Sequence, residues 1–407
     1  MKRILLVIII LTIPVFTFAS IFTGSGTYSD PYSGGTLTGD QTWSLSSSPI
    51  YVSGDLTIGT SSVAGHLTIE AGVTVIFVST GADIIITGLG QLTANGSSGA
   101  QIRFTADNNK NGIYGESGET WGHIAFWSMG VAGPSSLQFC LIEFGRKDGS
   151  PETPEGVGGG LLVDFNNITI SDCIFRYNYA SFGGGIFVNL GKNPSISRCS
   201  FFQNTANAAG GGIYLYNSSA SIISNCIFDN NYAAGNGNPS YSGGAIQLGS
   251  SITDAEILNC TFVNNSAANT GGDALHFYNG GTVVNSIFWG SNNQIGFSGS
   301  NGIVDYSAIQ GYSAQSHFTN CFGLNSSNDL DGPNFKNPTS KDWSIKVVSP
   351  CRDAGTTPSP TVPTDYIGNS RIGAYDIGAY EVQYTGWKTN PGNTDWNTAS
   401  NWNPGSV

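Results

Sequence analysis

The sequence predicts an all-β fold, a single-stranded right-handed parallel β-helix in which the chain winds through stacked coils. Three observations predict it. Five cysteines recur at spacings of 33, 26, 27 and 34 residues. The same apolar alternation flanks each of them at the same offsets. Only 10 % of the residues are charged, while glycine reaches 56 of 407. Amphipathic helices need charged outer faces, whereas tightly stacked turns need small polar residues. A solenoid can use the whole length as one body.

The elements follow in chain order. Residues 1–19 predict a signal peptide: Lys2 and Arg3, an apolar stretch from Ile4 to Val15, then Thr17-Phe18-Ala19 as the cleavage site. That stretch is short for a bilayer span, and no later segment is apolar enough to be one. Residues 20–135 predict an N-terminal cap and irregular coils, and 136–310 the regular coils. Residues 311–382 predict the last coils and a closing segment that ends in Asp376-Ile377-Gly378-Ala379-Tyr380-Glu381. Residues 383–407, with Trp387, Trp396 and Trp402, predict a linker and the truncated start of a further module.

The repeat register rests on Cys140, Cys173, Cys199, Cys226 and Cys260. An aliphatic stands three residues before each, and Ile142, Phe175, Phe201, Phe228 or Phe262 two residues after. Residues i and i+2 of a strand share a face, so cysteine and phenylalanine should enter the core together. The two residues between the aliphatic and the cysteine predict a bend. Position five after the cysteine holds Gly145, Asn178, Asn204, Asn231 or Asn265, which predicts a left-handed turn there. A glycine cluster then opens a second apolar alternation, as in Gly183-Gly184-Gly185 before Ile186 and Val188. Val283, Ser286 and Phe288 continue the pattern without cysteine. The five aligned cysteines read as free, buried thiols. Cys321 and Cys351 lie outside the register and are the better candidates for a bridge.

Leu67-Thr68-Ile69-Glu70-Ala71-Gly72-Val73, Ile102-Arg103-Phe104-Thr105 and Trp121-Gly122-His123-Ile124 resemble the opening of secreted bacterial β-helix proteins. Residues 157–310 resemble the repeats of pectate-lyase-like proteins and polymorphic surface proteins. Ser349-Pro350-Cys351-Arg352-Asp353-Ala354-Gly355, followed by the closing Asp376–Glu381 segment, resembles the end of choice-of-anchor β-helix proteins. The resemblance implies export to the cell surface or medium.

Alignment also assigns the outward positions. Glu143, Arg176 and Asp229 lie three residues after their cysteines, and Asp172 and Arg198 one residue before theirs. These five are the candidate catalytic residues, although opposite charges on adjacent coils (Glu143 with Arg176, Asp172 with Arg198) predict neutralising pairs. On the second alternation, Phe187, Tyr214, Gln247 and His276 share one position, and Asp164, Asn189, Tyr216 and Tyr278 the next. Rings beside amides can stack on sugars and hydrogen-bond their hydroxyls. Asp107-Asn108-Asn109-Lys110-Asn111-Gly112 copies the first half of a calcium loop, with Asp107, Asn109 and Asn111 as ligands and Glu116 or Glu119 as the closing acid. No other cofactor is implied.

Loop lengths point to a groove. Between the turn position and the next glycine cluster the coils carry 12, 4, 5, 11 and 5 residues. Two long loops therefore flank two short ones on one edge, where recognition sites often form. The predicted walls carry Arg146, Lys147, Asp148, Glu152 and Glu155 on one side and Asn236, Asn238 and Tyr241 on the other. The predicted floor carries Tyr179, Phe182 and Asn207, with Tyr214 and Tyr216 as a second candidate surface. A formal net charge of −12 without basic runs argues against nucleic acid and anionic membrane partners. The expected protein is a secreted or cell-surface monomer for adhesion or glycan binding, on a polysaccharide or a host or neighbour surface glycan, without catalysis. The alternative is a polysaccharide lyase or glycoside hydrolase for an acidic or plant or algal polysaccharide.

Overall fold

The structure, a computed structural model, describes residues 21–127, 134–149, 153, 156–164, 168–190, 194–218, 220–238, 240–299, 301–325 and 332–383. The signal-peptide and terminal-module expectations lie outside these residues, apart from Gln383. The chain is a right-handed parallel β-helix with three long sheets, and no α-helix occurs among the described residues. Sheet A has 11 strands and includes those that start at or just after each cysteine: Cys140–Glu143, Ile174–Arg176, Ser200–Phe202, Ile227–Asp229 and Thr261–Val263. Sheet B has 10 and includes Ile124–Trp127, Leu161–Asp164, Ile186–Asn189, Ile213–Leu215 and Ile246–Leu248. Sheet C has 11 and includes Ser135–Gln138 and Ile168–Ser171. A fourth, five-stranded sheet D, including Arg146–Lys147 and Tyr179–Phe182, lies between A and B in the regular coils.

Core residues stack as the repeat register requires. Phe175, Phe201, Phe228, Phe262 and Phe288 form one column with ring centroids 5.1, 4.8, 4.8 and 4.6 Å apart and nearly parallel planes. The five aligned cysteines are fully buried free thiols. Ser286 and Ser307 continue their column: Cys260 N donates to Ser286 Oγ at 3.2 Å, and Ser286 N to Ser307 Oγ at 3.1 Å.

Three expectations about the coils need correction. The left-handed residues are not at the fifth position after the cysteine. They stand at the fourth (Phe144, Tyr177, Gln203, Asn230, Asn264) and at the one before it (Phe139, Asp172, Arg198, Asn225, Asn259). The asparagines have another task. Asn204 Nδ2 donates to Phe175 O at 2.8 Å and to Asn231 Oδ1 at 3.0 Å, and its neighbours repeat this, so a buried amide ladder seals the corner between sheets A and D. Second, Cys321 and Cys351 are both free thiols. Cys321 belongs to the cysteine column after all, since Ala308 after Ser307 pairs with Phe322 after Cys321. Cys351 lies in a different cluster, where burial pushes its thiol up to about 12.

The third correction concerns the outer face of sheet A. Past the final coil the chain folds back over it. Phe335, Trp343, Ile345, Cys351, Ile377 and Ala379 pack on Ile227, Val263 and Ile287. The asparagine column before the cysteines fastens this closing segment. Asn225 Nδ2 donates to Thr364 O, Asn259 Nδ2 to Asp376 O and Asn285 Nδ2 to Thr356 O, at 2.7, 3.2 and 2.6 Å. Asp229 is thereby buried beneath Lys341, whose Nζ lies 3.5 Å from its Oδ2.

Glycine clusters are needed where coils touch. Gly158, Gly183, Gly210 and Gly243 have φ of +65°, +63°, +68° and +64°. At the next position a Cβ on Gly184 would fall 2.4 Å from Thr205 O, so adjacent coils could not close up around a side chain there.

Candidate functional site

Phe182, Asn236 and Tyr241 of the expected loop groove and Tyr214 and Tyr216 of the expected aromatic surface line one cavity, whereas Tyr179, Asn207 and Asn238 lie outside its lining. A cavity of about 610 Å³ opens over the outer face of sheet B. Its floor includes Leu162, Phe187 and Tyr214, which occupy one register position on consecutive coils. Phe182 and Tyr241 form the side toward sheet D: their rings meet edge-on at 5.1 Å, and Phe182 lies 5.3 Å from Tyr214. Asn236 comes from the second long loop and Thr153 from the first. Phe182, Phe187 and Tyr214 are buried because they pack together with Val157, Ala208 and Ala209 and against Tyr241, which a strand read as half exposed does not reveal. Burial also raises the Tyr214 phenol above its ordinary range.

The outermost residues form a line across the coils. Trp127 pairs in register with Asp164, and Asp164 with Asn189. Tyr216 follows Leu215, the register partner of Val188, and its N–H donates to Val188 O at 2.8 Å. Asn189 Nδ2 donates to Asp164 Oδ1 at 3.1 Å, and Asn217 Nδ2 to Asn189 Oδ1 at 3.3 Å. Burial pushes the Asp164 carboxyl up to about 6, partly offset by the Asn189 donor. Trp127 was missed in the sequence. The signal was available, because Ile124 aligns with Leu161 and so places Trp127 above Asp164.

Other predicted wall residues lie elsewhere. Lys147 turns inward. It is 3 % exposed, and its Nζ lies 2.9 Å from Asp83 Oδ2 in a buried ion pair. Arg146 stays outside, paired to Asp148 at 2.6 Å and stacked 4.3 Å above the Tyr179 ring, away from the groove lining. Glu152 and Glu155 lie outside the described residues.

The candidate acids on sheet A do not face this groove. Glu143 is fully buried and gripped from both sides: Arg103 Nε donates to its Oε1 at 2.6 Å and Arg176 Nε to its Oε2 at 2.7 Å. Arg198 Nε and Nη2 each donate to an Asp172 oxygen at 2.7 Å, a fork pairing that holds both charges in place. This pair borders a second cleft of about 680 Å³ against Tyr366 of the closing segment.

In the loop after Ala106, Asp107 Oδ1 accepts from Asn111 N at 3.0 Å and Oδ2 from Gly112 N at 2.9 Å. Glu116 Oε2 accepts from the side-chain amides of Asn109 and Asn111, which lowers its pKa, and Glu119 Oε1 accepts from Asn109 N. Among the described residues no cluster of three or more His, Cys, Asp or Glu side chains is arranged to hold a metal ion.

Further along sheet B, His276 is buried between Gln247 and Ser298, with Nε2 3.0 Å from Ser298 Oγ, and burial lowers its pKa to about 4. The unfolded chain therefore takes up a proton at about 6.5 that the native state refuses, so stability is full above that pH and falls as pH drops toward 4. Between pH 7 and 4.5 the wild type should lose roughly 2–3 kcal/mol more than His276→Gln. Parallel urea melts at the two pH values check this, and equal losses would refute it.

These features define a parallel β-helix with an aromatic-lined groove over one sheet. Residues 155–322 match the family model described as "right handed beta helix region". No curated protein matches the chain. Among the described residues no helix is long and apolar enough to cross a membrane.

Proposed function

We propose that this protein is an exported, non-catalytic β-helix that binds glycans through the groove over sheet B. The observation that carries the reading is the groove itself, in which aromatic faces and side-chain amides line a rigid sheet. Stacking on rings and hydrogen bonding to amides are what sugar faces and hydroxyls require. Hydrolysis needs two carboxylates about 5–10 Å apart across a glycosidic bond. Among the described residues the groove lining supplies one, Asp164. Glu143, Asp172 and Asp229 lie outside it, each neutralised by a cation.

A glycan array, run beside reducing-sugar and unsaturated-product assays, tests the reading. Binding without product formation is expected. Shortening the first long loop between Gly149 and Gly156, beyond buried Lys147, should leave folding intact and weaken binding. Turnover that Asp164→Asn abolishes would replace this reading with catalysis.

Calcium is a further proposal for the Asp107 loop. Turning the Asn109 and Asn111 amides would aim their oxygens, in place of their N–H donors, at the space beside Glu116. Calorimetry should then show binding at millimolar calcium that Asp107→Ala removes. A flat titration would end the idea.

A further inference from the structure

The Trp127–Asp164–Asn189–Tyr216 line carries more than a general affinity for sugars. Its ends are exposed rings, Trp127 at 43 % and Tyr216 at 41 %, while Asp164 between them is 3 % exposed. The four residues sit on four consecutive coils. Three rungs separate the rings, or about 14 Å at β spacing. A pyranose chain advances by nearly one rung per sugar, so two stacked sugars at the ends leave room for one or two between them. The hydrogen bonds there all run one way. Asn217 donates to Asn189, and Asn189 donates to Asp164 Oδ1. Among the described residues Asp164 accepts through that oxygen alone, which leaves Oδ2 to accept from a hydroxyl. No Lys, Arg or His appears among the described residues that line the groove. A sugar carboxylate entering it would meet Asp164 and find no cation.

We infer that this line is a track for an uncharged linear glycan segment of three to four sugars lying parallel to the solenoid axis, and that it selects against uronate chains. The inference rests on the glycan-binding reading and names the ligand class within it. The burial of Asp164 supports it. Burial already disfavours its charge, so a second negative charge beside it is costly, whereas a hydroxyl donor relieves the cost.

The test is calorimetry on the full chain with neutral β-1,4-linked oligosaccharides of glucose, mannose, xylose and N-acetylglucosamine, two to six units long, beside oligogalacturonates of equal length. At least one neutral series should bind, with affinity rising up to three or four units and then levelling off. Oligogalacturonates should bind at least about tenfold more weakly, a difference of roughly 1.4 kcal/mol. Trp127→Ala and Tyr216→Ala should each weaken the neutral ligand by about tenfold or more. Tyr278→Ala, an equally exposed ring two coils past Tyr216, should change nothing. Asp164→Asn should narrow the gap between neutral and uronate ligands. Melting curves of each variant check that it is folded. Tighter binding of oligogalacturonates through Trp127 and Tyr216 would overturn the selectivity and leave glycan binding standing. Neutral binding that ignores Trp127 and Tyr216 would overturn the track. Failure of both series to bind would remove the glycan reading itself.

Discussion

Replacing Arg371 by alanine should destabilise the protein by about 3–5 kcal/mol, the loss expected when one partner of a buried ion pair is removed. The side chain is fully buried. Its Nη1 lies 3.0 Å from Glu381 Oε2, and its Nη2 donates to Asn225 Oδ1, Gly378 O and Ala379 O at 2.8, 3.0 and 3.2 Å. One guanidinium thus ties the closing segment to itself and to the solenoid. Alanine would leave the Glu381 carboxyl buried without its cation, and burial, which already pushes it up to about 7, would drive it further toward the protonated form. Two carbonyls would lose a donor as well. Arg371→Lys should recover little, because an ammonium with three donors on a flexible stem cannot serve these four acceptors at once. Glu381→Ala in the Arg371→Ala background should cost much less than in the wild type, since the carboxyl it removes has already lost its cation. The segment need not take the whole solenoid with it. Limited proteolysis of 356–370 beside urea melts separates undocking from global unfolding. A melting temperature within about 1 °C of wild type, with unchanged proteolysis, would mean that this residue does not hold the segment.

That segment marks the boundary of what could be read in the sequence. The inward positions were legible because a strand has a period of two and the coils repeat it: cysteine, phenylalanine and the aliphatic three before each cysteine all fall where the register puts them. The outward positions were not, because the same period says only that a side chain leaves the core, not what it meets. Ile227, Val263 and Ile287 are apolar at outward sites of sheet A, and that excess was the available sign that something covers them. Asn225, Asn259 and Asn285 read as turn formers and are also clamps. The asparagines after each cysteine misled in the opposite way. Asparagine suits both a left-handed backbone and an amide ladder, and composition cannot choose between them. Of the expected groove residues, loop counting named Phe182, Asn236 and Tyr241, which line the cavity, and also Arg146, Lys147, Asp148, Tyr179 and Asn207, which do not; the register alignment named Phe187 and Tyr214. That the two sets belong to one groove required the path of sheet D, whose short strands carry Phe182 up beside Tyr214.

Phe201→Ala should cost about 3–5 kcal/mol, the usual range for a buried aromatic reduced to a methyl group. Its ring lies between Phe175 at 5.1 Å and Phe228 at 4.8 Å, with planes within 7° of parallel. Gly185 backs it so closely that a Cβ there would stand 3.2 Å from the ring. Collapse around the vacancy is restrained on every side. The coils above and below are held at hydrogen-bonding distance through Ile174, Ser200 and Ile227. The Asn178–Asn204–Asn231 ladder fixes the adjacent corner. The cavity should therefore stay open, which places the cost toward the upper end of the range. Phe201→Leu, which refills much of the volume, should cost clearly less. Phe202→Ala is the control one residue along. Phe202 points outward, half-buried, with Lys341 over its ring, and it should lose far less than Phe201. In a solenoid each coil touches only its neighbours, so the damage should concentrate in the coils of Phe175, Phe201 and Phe228. Hydrogen exchange should report that locality. Faster exchange is expected at Tyr177, Thr205 and Tyr232, with little change near Leu67 and Leu92. A Phe201→Ala melt that overlays the parent would contradict the packing, and uniform loss of protection along the whole chain would contradict its nearest-neighbour character.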